Sequence, residues 1–326
     1  MLKMITTNII HRKIKNTIDN IAEKMYNIGI MNREWRNDME SGFQKKFYVG
    51  NQGFRLHYTT GQIAGESTTG YPHYEVEQSF IYFRRGAGEI KIEGRHYTID
   101  EGDIILLKPS ELCHCTVQDG IYHERITLYF NESLVKNFHA KAFSVLEAFN
   151  HRKNGVENKI SQKTVEENRL HIALEEMLEL AQTPTEINQL ISVCKLIEIL
   201  AKLSTLICGN SMASEEQIFE NPIIRNVIGY INRNFSRDID LEQIAVEFHV
   251  DKYYLSHLFK EQVGVTVWNY VIFRRLTALN ERIRKNETIE NACFAVGFQN
   301  YSNFYRLYKK HMHMTPMQYK KSLVRE

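Results

Sequence analysis

Short alternating runs of apolar and polar residues mark the first half of the chain. Between residues 54 and 131, Ile90 with Ile92 and Tyr97 with Ile99 recur at every second position, and Gly86, Gly88, Gly94 and Gly102 interrupt the runs where turns are needed. Pro109 follows the run DIILL, where a strand must end. Short strands at this spacing predict an antiparallel barrel or sandwich. The period then changes. From 161 to 208 apolar residues recur every three or four positions in two stretches separated by Thr-Pro-Thr, which predicts a helical hairpin. Leu190, Val193, Ile197, Leu200 and Ser204 form one stripe, widened by Ile191, Cys194 and Ala201. A stripe this wide serves either as core or as a surface for a partner helix. Residues 208–222, CGNSMASEEQIFENP, are small and polar and predict a linker; everything beyond them has the helical period. Near the start, KIKNTIDNIAEKMYNIGI predicts one further amphipathic helix.

The C-terminal third contains two versions of one pattern. LEQIAVEFHVDKYYLSHLFKEQVGVTVWNY begins at Leu241 and IENACFAVGFQNYSNFYRLYKKHMHMTPMQY at Ile289. Ile244 and Ala245 match Ala292 and Cys293; Leu255 to Lys260 match Phe304 to Lys309; Thr266 matches Thr315, and Tyr270 matches Tyr319. Each copy predicts a helix, a tight turn and a second helix, so the region predicts tandem helix-turn-helix units. Gly297 supplies the small residue such a turn needs, whereas His249 stands there in the first copy. Asp251 and Asn300 are N-caps of the two second helices, and Pro316 stops the last of these after Thr315. Phe304, Leu307 and Tyr308 share the core face. The opposite face offers Tyr253, Ser256 and His257 in the first copy and Tyr301, Ser302, Asn303 and Arg306 in the second, side chains able to reach base edges. Lys252, Lys260, Lys309 and Lys310 fall where backbone phosphates would be met.

Charge supports a polyanion partner for this third alone. The whole chain of 326 residues is +2, but from Pro222 onward 16 Lys and Arg face 10 Asp and Glu, giving +6, while the rest holds 25 basic and 29 acidic residues, giving −4. The length favours two domains, and 43% hydrophobic with 25% charged residues is ordinary for a globular protein. No apolar run reaches the ~20 residues of a membrane helix, and MLKMITTNIIHRKIK lacks a signal peptide's apolar stretch. Five cysteines without a framework spacing suggest a reducing compartment, so a cytoplasmic location is expected. No hydrolase triad, phosphate-binding glycine loop or HExxH motif occurs, and no enzymatic activity is expected.

IAVEFHVDKYYLSHLFKEQVGVT, FRRL and VGFQNYSNFYRLYKKHMHMTPMQY together closely resemble the DNA-binding domain of the AraC/XylS transcription regulators, with Gly297, Phe298, Ser302, Phe304, Arg306, Lys309, Thr315 and Pro316 at signature positions. Leu279, Arg282, Cys293 and His313 depart from that pattern. A weaker resemblance, PHYE, RRGAGEI and YTIDEGDIILLKPSELCH, is to cupin segments. The resemblance implies an α+β multidomain chain: a helical extension over 1–45, a cupin-like sensor barrel over 46–135, a helical dimerisation element over 136–210, and an all-α tandem helix-turn-helix domain over 222–326. It also implies promoter DNA, a homodimer and RNA polymerase as partners, no membrane association, and a role as activator responding to a small polar effector such as a sugar. His73, Glu75, Tyr82, Arg84 and His114 are the expected effector-binding groups. His73, Glu75 and His114 match cupin metal-ligand positions, but Ser79 stands where a fourth, acidic ligand is expected, and neither metal nor cofactor is expected. Cys113 and Cys115 alternate away from His114 and are expected in the core. The alternatives are a metal-dependent cupin enzyme fused to a DNA reader, and a regulator with no small-molecule effector.

Overall fold

The computed structural model describes residues 44–49, 53–62, 73–74 and 77–324, apart from 110, 119, 141–142, 184, 209–220 and 313. The predicted N-terminal helix, Glu75 and His313 lie outside the described residues.

Twelve strands occur among the described residues: β1 Gln44–Val49, β2 Phe54–Gln62, β3 His73–Tyr74, β4 Gln78–Arg85, β5 Gly88–Ile92, β6 Arg95–Ile99, β7 Ile104–Leu107, β8 Leu112–Val117, β9 Tyr122–Phe130, β10 His139–Ala140, β11 Phe143–Ser144 and β12 Lys159–Ile160. They build a six-stranded sheet ordered β1-β2-β9-β4-β7-β12 and a four-stranded sheet ordered β3-β8-β5-β6, every pair antiparallel; β10 and β11 pair separately. The two sheets share one apolar core: Ile81, Phe83, Ile105 and Leu107 meet Ile90, Ile92, Tyr97, Ile99 and Cys113. On the other face of the larger sheet, Phe80, Tyr82, Ile104, Leu106, Ile126 and Leu128 pack under helices. The centre of β4 is thus buried on both sides, which is why FIYF reads as a continuous apolar run instead of an alternation.

The covering helices are the short α1 (Glu132–Val135), α2 (Glu147–Asn150) and α3 (Gln162–Glu167), then α4 (Leu170–Gln182) and α5 (Glu186–Cys208). The predicted hairpin is formed by α4 and α5. Its stripe, however, does not run as expected. Leu200 and Ser204 are buried, and the Ser204 hydroxyl ties α5 to α2, accepting from the Ala148 amide at 3.1 Å and donating to the Val145 carbonyl at 2.9 Å. Leu196, Ile199 and Leu203 carry the core contacts beside them, whereas Ile187, Leu190, Ile191 and Cys194 in the N-terminal half are exposed. A buried ion pair braces the sheet edge: Arg152 reaches Glu111, whose carboxylate also accepts from the Gly155 amide at 2.9 Å and the Asn158 side chain at 3.1 Å.

Seven helices follow: α6 Pro222–Asn234, α7 Leu241–Glu247, α8 Lys252–Val263, α9 Val267–Arg284, α10 Ile289–Ala295, α11 Tyr301–Met312 and α12 Pro316–Val324. They enclose two cores. The first holds Ile244, Ala245, Leu255, Phe259 and Tyr270, together with Ile224, Val227 and Ile231 of α6. The second holds Leu276, Leu279, Ala292, Cys293, Phe304 and Tyr308. Helix α9 contributes to both and is the beam between the two units. Arg275 fastens it: its guanidinium donates to the Phe235 and Arg237 carbonyls at 2.7 and 2.8 Å and lies over the rings of Trp268 and Phe298. Leu279 and Cys293, two departures from the family pattern, are fully buried in the second core, and Arg282 sits outside it in an ion pair with Glu287.

Candidate nucleic-acid interface

The internal repeat persists down to single hydrogen bonds. Asp240 caps α7 by accepting from the Gln243 amide at 2.8 Å, and Thr288 caps α10 by accepting from Asn291 at 3.2 Å. Both helices close in the same way, with bonds from Val250 N to Ala245 O and from Phe298 N to Cys293 O, at 3.0 and 3.2 Å. The left-handed residue of each closure is His249 (φ 54°) or Gly297 (φ 95°). Asp251 then caps α8 through the Tyr253 and Tyr254 amides, and Asn300 caps α11 through Asn303 at 2.9 Å. Thr266 and Thr315 cap the helices that follow. Two second helices are therefore presented by one framework, each with its first turn turned outward.

On α8, Leu255, Phe259 and Val263 are buried, while Tyr253, Tyr254, His257 and Lys260 are exposed and Ser256 is half-buried. On α11, Phe304, Tyr308 and Met312 are buried, and Tyr301, Ser302, Asn303, Tyr305, Arg306, Lys309 and Lys310 face solvent. Arg306 is held by Asn303, whose side-chain oxygen accepts from it at 3.0 Å, one helical turn away. This aligns the guanidinium with the helix face that carries the other polar groups. Lys252 is placed differently from its expected phosphate role. Its ammonium is paired with Glu242 of α7 at 2.6 Å and lies 5.5 Å from the Tyr253 ring centroid. Tyr254 and Tyr305 belong to the exposed faces although the sequence pattern did not single them out. Aromatic side chains on a helix first suggest core, and only the register of the buried positions separates them from Phe259 and Phe304.

The sensor residues do not converge as expected. Ile81 and Phe83 point between the sheets, so Tyr82 and Arg84, one position along, point to the helical side. Tyr82 is buried there. Arg84 is engaged by Glu124 of β9 and Glu175 of α4, both at 2.7 Å. His114 stands opposite Lys91 on β5, its side chain alternating away from Cys113, which lies in the inter-sheet core. Tyr82 and Arg84 therefore lie on the face of the large sheet away from the inter-sheet space, and His114 on that of the small sheet. His73 pairs in register with Cys113. The inter-sheet core is lined chiefly by isoleucine, leucine and aromatic side chains.

What the pattern missed lies where the barrel meets α9. Glu93, in the turn between β5 and β6, is buried and accepts from the Tyr270 hydroxyl. Leu112 and Tyr74 of the small sheet pack into the first helical core. A Glu-Gly hairpin turn ordinarily signals solvent, so no local signal reports this contact.

A helix-turn-helix family model matches residues 244–322, and an AraC-like ligand-binding domain model matches 56–200. The uncharacterized HTH-type transcriptional regulator YdiP of Escherichia coli strain K12 is 28% identical over 114 residues, 34% of this chain and 38% of that protein. The transposon Tn10 TetD protein of Escherichia coli is 29% identical over 110 residues, covering 33% of this chain and 79% of its own. The match to YdiP thus spans well under two thirds of that relative. Among solved structures, ToxT of Vibrio cholerae O395 aligns over 84% of this chain and 99% of its own at 14% identity, with a TM-score of 0.35. No helix among the described residues is long and apolar enough to cross a membrane. With an AraC-like ligand-binding domain followed by a doubled helix-turn-helix unit, the chain belongs to the AraC family.

Proposed function

We propose that this protein is a cytoplasmic, sequence-specific regulator of transcription that reads double-stranded promoter DNA with α8 and α11. The carrying observation is the repeated frame: two capped helices of one geometry, each burying an apolar stripe and exposing polar and cationic side chains. Arg306, held by Asn303, is suited to bidentate contact with a guanine edge. Lys260, Lys309 and Lys310 supply charge for phosphates, and Tyr253, His257, Tyr301 and Ser302 flank the reading positions. In this reading Lys252 meets a phosphate only by leaving Glu242.

Arg306→Ala is expected to weaken binding to a duplex selected by the unaltered protein by ~1–3 kcal/mol and to relax preference at one base pair. Lys309→Ala should weaken selected and random duplexes alike. An Arg306→Ala protein that folds and keeps its selectivity would remove α11 from the reading surface.

The N-terminal domain is the sensor in this proposal, and a small polar metabolite such as a sugar is its effector class. Of the five groups expected to bind it, Arg84 would first have to release Glu124 and Glu175. A panel of sugars and small acids, read as a rise in thermal midpoint, tests the class; no shift with any member favours a regulator without an effector. Activation through RNA polymerase and assembly as a homodimer complete the proposal.

A further inference from the structure

The contact between the small sheet and α9 combines features that a purely structural interface would avoid. Glu93 is 3% exposed and sits in left-handed backbone, φ 52°. Its amide donates to the Leu112 carbonyl at 2.9 Å, and one carboxylate oxygen accepts from the Leu112 amide at 2.9 Å, so β8 clamps it from both ends. The other oxygen accepts from the hydroxyl of Tyr270, itself fully buried. One turn further along α9, Arg274 is near enough to Tyr270, Glu93 and Tyr74, and to Glu281 of its own helix, to interact with them electrostatically. Its Nε and Nη1 are buried, yet neither has a hydrogen-bond partner among the described residues. Between Tyr270 and Arg274, Phe273 stacks on Tyr74 of β3, with ring centroids 3.4 Å apart.

Burying a carboxylate and a guanidinium costs more than filling the same space with apolar side chains. Leaving guanidinium donors unbonded beside an acceptor adds to that cost. Polar groups at such a place are better explained by a choice between partners than by stability. Tyr270 and Arg274 are four residues apart and lie on one helix face, so either can present its donor to the same carboxylate after a small shift of α9 along the barrel.

We propose that Glu93 is a positioning residue for DNA reading, which holds α9 through Tyr270 in one register and through Arg274 in another. Because α9 contributes to both helical cores, its register sets how the two reading helices are offered to DNA relative to the sensor. Sensor and reader are thereby coupled through one carboxylate. This rests on the assignment of α8 and α11 as reading helices.

The test uses the full chain, a duplex enriched from a random pool by the unaltered protein, and a random-sequence duplex as control. Tyr270→Phe removes the first donor and keeps the ring; Arg274→Gln removes the competing charge. These two are expected to shift affinity for the enriched duplex in opposite directions, each by about fivefold or more. Affinity for random DNA should stay within twofold in both, taking about twofold as the resolution of such a comparison. Glu93→Gln added to Tyr270→Phe should bring affinity back toward that of the unaltered protein, since it also removes the carboxylate that Arg274 would hold in the other register. Folded single variants that match the unaltered protein, or that shift both duplexes in parallel, overturn the proposal. An unaltered protein that enriches no sequence overturns the DNA-reading function instead.

Discussion

His249 and Gly297 hold the same place in their two turns, with φ of 54° and 95°, and only one of them is glycine. Left-handed backbone strains a β-carbon by roughly 1–2 kcal/mol, while glycine loses about 0.5–1 kcal/mol in chain entropy. His249→Gly should therefore raise stability by ~0.5 kcal/mol. Gly297 has a second constraint, because a Cβ there would lie 2.5 Å from the Ser236 carbonyl oxygen, a backbone atom that cannot swing away. Gly297→Ala should cost at least ~2 kcal/mol. Urea midpoints at unchanged slope measure both, and a Gly297→Ala cost no larger than the gain from His249→Gly would mean that the Ser236 carbonyl adds no constraint. The Gly297 requirement was visible in the sequence as a turn residue; the Ser236 approach was not, since it joins segments about sixty residues apart.

At the scale of elements, α5 is divided. Its C-terminal half is buried through Leu196, Ile199, Leu200 and Leu203, while Ile187, Leu190 and Ile191 are 67%, 60% and 40% exposed. Helical spacing predicts a wide apolar face but does not say which part the protein itself covers. The exposed half is where we place the homodimer contact. Ile187→Asp with Leu190→Asp should yield a folded monomer with weaker binding at paired sites. Each such side chain forfeits about 1.5–3 kcal/mol of burial if it lies in the contact. Sedimentation that still gives a full dimer would move the interface elsewhere. Ile197, on the same predicted stripe, is partly buried and packs on the internal core, so its replacement would confuse folding with assembly.

For the molecule as a whole, the two reading helices must meet successive major grooves, about one helical turn or ~34 Å apart, if both contact DNA at once. Footprinting should show two protected grooves on one side of the duplex per protomer, and affinity should fall steeply with salt because several cations neutralise phosphates together. A single protected groove would make one unit scaffold only.

The order of β-rich, hairpin and tandem helix-turn-helix regions was legible in the chain because it rests on local physics. Period, capping side chains and turn residues act over a few positions, and the recurrence of a cap from Asp251 to Asn300, with the matched apolar positions around it, exposes the repeat without any tertiary knowledge. Alternation along β4 likewise separates Tyr82 and Arg84 from Ile81 and Phe83. It could not say which pair faces the other sheet, because both faces of that strand are buried. Only the fold put Arg84 between two carboxylates and turned His114 away from the inter-sheet core. Only the fold, too, brought Glu93 to Tyr270, 177 residues later. Contacts at that separation depend on how whole elements pack, and a Glu-Gly turn carries the same local signal whether water or a helix covers it.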